Sequence, residues 1–215
     1  MKQDVIKQID ENKLIVIVRG VYGEDCIKLA HALYEGGIKM MEITFDQSKP
    51  DEFYRTADAI KAVKEEMAGK MMVGAGTVIS LETLKMAKDA GAQYIISPDT
   101  NEEVIKKTVE YGLVSIPGAL TPSEAANAHK WGADYVKLFP ISNLGVGYLK
   151  AVRAPLSHIK FMAVGGVSEK NIKEFLDAGA VGAGVGGNLV NKEWIKNGEF
   201  DKITALAAEF VKNTK

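Results

Sequence analysis

Short, continuous apolar runs recur along this chain at intervals of roughly 20 to 30 residues, with helical stretches between them. Runs that do not alternate with polar residues indicate strands buried on both faces, which is typical of a parallel sheet. Eight such runs are present: Leu14–Val18, Met40–Ile43, Met71–Ala75, Tyr94–Ile96, Val114–Ile116, Tyr135–Leu138, Phe161–Val164 and Val181–Val185.

The segments between these runs carry apolar residues at helical spacing, as in Glu24–Tyr34, Ser80–Ala90 and Ser168–Ala178. Several end in glycine, for example Gly91 and Gly179, where a helix takes a left-handed C-cap residue. Two further helices are predicted at the ends of the chain. Asp4–Glu11, through Val5, Ile6 and Ile9, should cover the bottom of the sheet, and Phe200–Val211 should complete the outer layer of helices.

Alternation of eight strands with helices predicts an α/β protein, a single (β/α)8 TIM barrel over residues 1–215 with an extra N-terminal helix. An open, doubly wound sheet is the main alternative. It lacks support because no G-x-G-x-x-G follows the first strand, and Gly74-Ala75-Gly76 lacks the third glycine at the right offset.

Charge and composition argue against several classes of protein. The net charge is −1 and 26% of residues are charged, which gives no reason to expect nucleic acid or an anionic membrane as a partner. The polar segment Met1–Asn12 lacks a signal-peptide core, and no apolar run approaches the ~18 residues of a membrane span. The protein is therefore expected to be soluble and cytoplasmic. Its one cysteine, Cys26, is expected to be a reduced thiol and not a nucleophile.

Lys137 is the most informative polar residue, because it lies within the apolar run Tyr135–Leu138. In a barrel, the C-terminal ends of the strands form the active site. Burial there should lower the pKa of the lysine, and a neutral amine can attack a ketone to form an imine. The alternative is a lysine that only pairs its ammonium with a carboxylate.

Glu42 follows Met40-Met41 in a buried run, so its carboxylate should also face the barrel mouth. There it could shuttle protons during imine formation and take the proton of a substrate hydroxyl. The alternative is an ion-pair partner of Lys137 or Arg19.

Glycine pairs end the last two predicted strands, at Gly165-Gly166 and Gly186-Gly187. Barrels often bind phosphate through backbone N–H groups at these strands, and Arg19 could add positive charge for a phosphate or carboxylate. No pair among the three histidines has metal-ligand spacing, so no metal site is expected.

Each of these motifs is common by itself, but their order along the chain is specific. The chain resembles the class I 2-keto-3-deoxy-6-phosphogluconate/4-hydroxy-2-oxoglutarate aldolases from about Leu14 to the C-terminus. The resemblance rests on Glu42, Gly74–Val78, Ile96–Pro98, Ile116–Gly118, Lys137–Pro140, Gly165-Gly166 and Val185–Gly187.

The resemblance implies a homotrimeric barrel that cleaves a 2-keto-4-hydroxy acid to pyruvate and an aldehyde without a metal or organic cofactor. It makes Lys137 the Schiff-base residue and Glu42 the general acid/base. Thr77, helped by the turn at Pro98, would bind the pyruvate carboxylate. Further residues implied near substrate are Arg19 and Phe139, with Gly165, Gly166, Gly186, Gly187 and Asn188 holding a phosphate.

Three positions depart from the family pattern and bear on the aldehyde half of the substrate. Asp46 replaces an arginine, Val164 a threonine and Asn188 a serine. The sequence therefore leaves open whether the preferred acid is phosphorylated. Two other functions also stay open: a sugar-phosphate isomerase or epimerase that uses Glu42 as base, and a non-catalytic barrel that binds a sugar acid.

Overall fold

The computed structural model describes residues 2–215, so of the predicted domain only residue 1 lies outside the described residues. Nine parallel strands form one sheet in the order β5-β4-β3-β2-β1-β9-β8-β7-β6. Their bounds are Leu14–Arg19 (β1), Met40–Thr44 (β2), Met72–Gly76 (β3), Tyr94–Ile96 (β4), Val114–Ile116 (β5), Gly118–Ala119 (β6), Val136–Leu138 (β7), Phe161–Val164 (β8) and Gly182–Val185 (β9).

The two ends of this order, β5 and β6, are consecutive in the chain and separated only by Pro117. Proline has no N–H to donate to a ladder, so it divides one strand position into two segments. The carbonyl oxygens of Ser115 and Pro117 still accept hydrogen bonds from Tyr135 and Lys137. The sheet therefore closes into the predicted eight-position barrel, and the ninth segment is the feature that the apolar pattern missed.

Helices surround the barrel. Their bounds are Lys2–Asn12 (α1), Gly23–Glu35 (α2), Phe53–Glu66 (α3), Leu81–Asp89 (α4), Glu102–Glu110 (α5), Pro122–Lys130 (α6), Gly145–Arg153 (α7), Ile172–Asp177 (α8), Lys192–Lys196 (α9) and Phe200–Asn213 (α10), with a 3-10 turn at Pro50–Glu52. The predicted glycine caps Gly91 and Gly179 have φ of +88° and +98°, as a left-handed C-cap requires.

The helix predicted over Ser168–Ala178 was wrong at its start, because α8 begins only at Ile172. The backbone N–H of Ser168 donates to the side-chain oxygen of Asn171, and the Asn171 N–H donates to the Ser168 carbonyl. These bonds hold residues 168–171 in a turn that competes with the helix. The short helix α9 was not predicted.

Two apolar cores hold the barrel together. The larger one fills the space between the strands and the surrounding helices. The smaller one lies inside the barrel and includes Val5 and Ile9 of α1 together with Met40, Tyr94 and Tyr135. The N-terminal helix therefore closes the bottom of the barrel, as predicted, and leaves the opposite end open. Within residues 2–215, no helix has the length and apolar character needed to cross a bilayer.

Candidate active site

The open end of the barrel contains a cavity of about 230 Å³ at the C-terminal ends of the strands. All of the site residues predicted from the sequence line it. They are Arg19, Glu42, Thr77, Pro98, Lys137, Phe139, Gly165, Gly166, Gly186, Gly187 and Asn188. Parallel strands bring their carboxyl ends to one edge, which explains why residues so far apart in the chain meet here.

The alternation of side chains along β7 turns Lys137 into the barrel. Tyr135, two residues earlier, belongs to the inner core, and side chains two positions apart share a face. On the flanking strands, Lys137 is in register with Gly118 of β6 and Met162 of β8. Lys137 is only 7% exposed, and its Nζ lies 4.7 Å from the centre of the Phe139 ring.

Glu42 reaches the same interior from β2, two residues after the inner-core residue Met40. It is 1% exposed, and its Oε2 has no hydrogen-bond partner among the described residues. A pure structural ion pair would satisfy its oxygens, so the unpartnered atom favours a role toward a ligand. Neighbouring Gly76 leaves room for this carboxylate, because a Cβ there would lie 2.9 Å from Glu42 Cδ and Oε1.

The electrostatics of this pair follow from its burial. Loss of hydration lowers the pKa of Lys137 and raises the pKa of Glu42. Their mutual attraction opposes both shifts, while the nearby Arg19 guanidinium lowers the pKa of each group. Burial is the largest cause for both residues, so the site favours a neutral amine beside a protonated carboxyl more than water does.

The mouth of the cavity is built from backbone and small side chains. Gly165 and Gly166 both have positive φ, and the space around a Cβ at Gly187 is empty to 4 Å. Other residues that line the cavity were not predicted from the sequence, among them Ile17, Val167 and Gly184. Ile17 carried a usable signal, since it lies two positions before Arg19 and shares its face.

Cys26 does not line this cavity. It is fully buried in the outer core, and burial raises the pKa of its thiol to about 12. No cluster of three or more metal-ligating His, Cys, Asp or Glu side chains occurs within the described residues 2–215.

Comparison with known proteins identifies the family. The family model described as KDPG and KHG aldolase matches residues 5–206. The chain is 34% identical over 200 residues to the 2-dehydro-3-deoxy-6-phosphogalactonate aldolase of Escherichia coli K12, covering 93% of each protein. It is 33% identical to the KHG/KDPG aldolase of the same organism, covering 94% of this chain and 91% of the relative.

A solved structure has the same architecture. The KDPG aldolase of Legionella pneumophila, with pyruvate captured as a covalent carbinolamine, superimposes with a TM-score of 0.83 at 28% identity. The match covers 94% of this chain and 95% of that one. On the extent of these matches, this chain belongs to the KDPG and KHG aldolase family.

Proposed function

We propose that this protein is a class I aldolase that cleaves a 2-keto-3-deoxy sugar acid to pyruvate and an aldehyde through an imine on Lys137. One observation carries the proposal. A lysine that is 7% exposed and a carboxylate that is 1% exposed line the same cavity at the open end of the barrel. Few structural roles require two such groups to lose their hydration together, whereas amine catalysis requires it.

In the first step, the neutral amine of Lys137 attacks the C2 ketone and forms a carbinolamine. Protonated Glu42 gives its proton to the carbinolamine hydroxyl, which leaves as water and produces an iminium ion. The pKa shifts of both residues favour this start, because burial lowers that of Lys137 and raises that of Glu42.

In the second step, the Glu42 carboxylate takes the proton of the C4 hydroxyl and the C3–C4 bond breaks. The electron pair moves into the iminium, which becomes an enamine, and the aldehyde leaves. Glu42 then returns the proton to C3. Water hydrolyses the resulting pyruvate imine and frees Lys137.

The remaining residues of the cavity are assigned to the two ends of the substrate. Thr77 and Pro98 hold the carboxylate, with Arg19 and Phe139 beside the reacting carbons. The backbone N–H groups of the glycine pairs and Asn188 hold a phosphate on the aldehyde half, consistent with the anion preference of exposed N–H groups.

The substrate acid is tested with a panel. The similar proteins are named for galactonate-derived, gluconate-derived and hydroxy-oxoglutarate substrates, so these three acids are the first to assay, with and without phosphate where both exist. Release of pyruvate is expected from at least one. Lys137→Met should abolish it, while Lys160→Met, at an exposed lysine that pairs with Asp10, should keep it. Isomerisation or epimerisation without pyruvate release would refute the proposal.

We also propose that residues 1–215 form one domain and that the protein acts as a homotrimer in the cytoplasm, in Entner-Doudoroff carbohydrate breakdown. The single closed sheet supports the first point, and resemblance to the family supports the others. Sedimentation equilibrium tests the trimer directly.

A further inference from the structure

Thr77, at the end of β3, adopts a backbone conformation that threonine rarely takes. Its φ is +56°, in the left-handed region, where a β-branched side chain clashes with its own backbone. Such strain persists only where surrounding groups impose it, and it occurs most often at functional sites. Thr77 lines the cavity, so this strained conformation sets the direction of a side chain that belongs to the site.

Two side chains from neighbouring loops hold the peptides on either side of this bend. Gln47 Nε2 donates to the Thr77 carbonyl oxygen at 3.0 Å. The buried Ser97 Oγ donates to the next carbonyl, that of Val78, at 2.6 Å. The Val78 N–H is in turn bonded to the carbonyl of Ile96 at 3.3 Å.

Gln47 is aimed at Thr77 by the turn that Asp46 makes. Asp46 Oδ1 accepts hydrogen bonds from the N–H and the hydroxyl of Ser48, at 3.0 and 2.7 Å. The N–H of Lys49 closes the same turn on the Asp46 carbonyl at 3.0 Å. Asp46 stands where the family pattern has an arginine. Its side chain is used in this turn.

We infer that Gln47 is a positioning residue, which fixes the strained Thr77 so that its hydroxyl meets the carboxylate of the keto acid. The inference rests on the proposed function, because it takes Thr77 as the carboxylate ligand. Gln47 acts through Thr77 and not on the substrate, since the lining of the cavity, drawn from residues 2–215, does not include it.

The test uses pyruvate as the probe and borohydride inactivation as the readout. The pyruvate concentration that gives half the maximal inactivation rate reports binding, and the maximal rate reports imine chemistry. Gln47→Ala should raise the half-saturating concentration by about three- to tenfold, the worth of one hydrogen bond, and leave the maximal rate within about twofold. An unchanged half-saturating concentration would overturn the inference.

A second background separates positioning from general damage. In Thr77→Gly protein the hydroxyl is gone and the backbone is relaxed, so adding Gln47→Ala should change the half-saturating concentration by less than about twofold. Equal effects in both backgrounds would mean that Gln47 does not act through Thr77. Gln93→Ala is the matched control, because Gln93 bonds the opposite end of β3 at Val73 and should alter only stability.

Failure of the proposed function has a different signature from failure of this inference. A parent protein that pyruvate and borohydride do not inactivate at any concentration would overturn both. A parent that is inactivated, with Gln47→Ala indistinguishable from it, would overturn the inference alone. A crystal structure of the Gln47→Ala variant is an independent test, and the Thr77 peptide is expected to have moved in it. A Thr77 that keeps its place and its positive φ would contradict the positioning role.

Discussion

Replacement of Gly76 by alanine should disable the site by displacing Glu42, although position 76 carries no chemical group. An added Cβ would lie 2.9 Å from Glu42 Cδ and Oε1 and 2.8 Å from Thr44 Cγ2, against 3.4–4 Å for ordinary contact. The shortfall is at least about half an ångström. Glu42 and Thr44 are each 1% exposed, so the crowding must be relieved inside the barrel, by a shift of the Glu42 side chain or of the strands themselves.

The expected magnitude has two parts. Crowding of this kind destabilises a protein by about 1–3 kcal/mol, which urea unfolding measures. A general acid/base displaced by half an ångström to one ångström loses about 10- to 100-fold in kcat/KM. The loss should appear mostly in kcat, measured by pyruvate release.

Gly147→Ala is the control for this change. Gly147 lies in α7, and nothing occupies the 4 Å around a Cβ placed there. It should keep parental kinetics and gain about 0.5–1 kcal/mol of stability, since alanine favours helix. Parental kcat/KM in Gly76→Ala would refute the claim that the position of the Glu42 carboxylate limits the reaction.

Three further results are expected. Glu42→Gln should lower kcat by about 10²–10⁴-fold. It also removes the charge of Glu42 that raises the pKa of Lys137, so the pH midpoint of pyruvate-dependent borohydride inactivation should move to lower pH. A midpoint that rises would contradict the attraction between Glu42 and Lys137. Cys26 is fully buried with a thiol pKa of about 12, so iodoacetamide at pH ~8 should label it in urea but not in native protein, as mass spectrometry would report. Tyr94→Phe removes the 2.6 Å hydrogen bond from the buried hydroxyl to the Met41 carbonyl and should cost about 1–3 kcal/mol in urea unfolding; a variant as stable as its parent would show that this bond contributes nothing.

The barrel could be predicted because its strands are buried on both faces and their apolar runs do not alternate. The same logic located Lys137 and Glu42, since each is a charged residue in an otherwise apolar run. The break at Pro117 was missed because a proline after Ile116 also fits the plain end of a strand. The start of α8 was missed because the side chain of Asn171 bonds Ser168 in a turn that the apolar pattern does not record.

The supporting residues of the site could not be predicted, because their roles depend on contacts between distant segments. Thr77 has a left-handed φ, and its carbonyl accepts a hydrogen bond from Gln47, 30 positions earlier in the chain. Position 76 must be glycine to leave room for the carboxylate of Glu42 on the neighbouring strand β2. In the same way, Tyr94 fills the space that a side chain at Gly74 would need. Residue type identified the groups that carry chemistry, whereas tertiary packing determines the groups that orient them.

Formation of the imine on Lys137 can be tested by mapping the covalent adduct. The protein is treated with isotope-labelled pyruvate and borohydride, digested, and analysed by mass spectrometry. One reduced pyruvate adduct per chain is expected, on the peptide that contains Lys137, with loss of activity in proportion to labelling. Full inactivation with the label on another lysine, or full activity with no label, would contradict it.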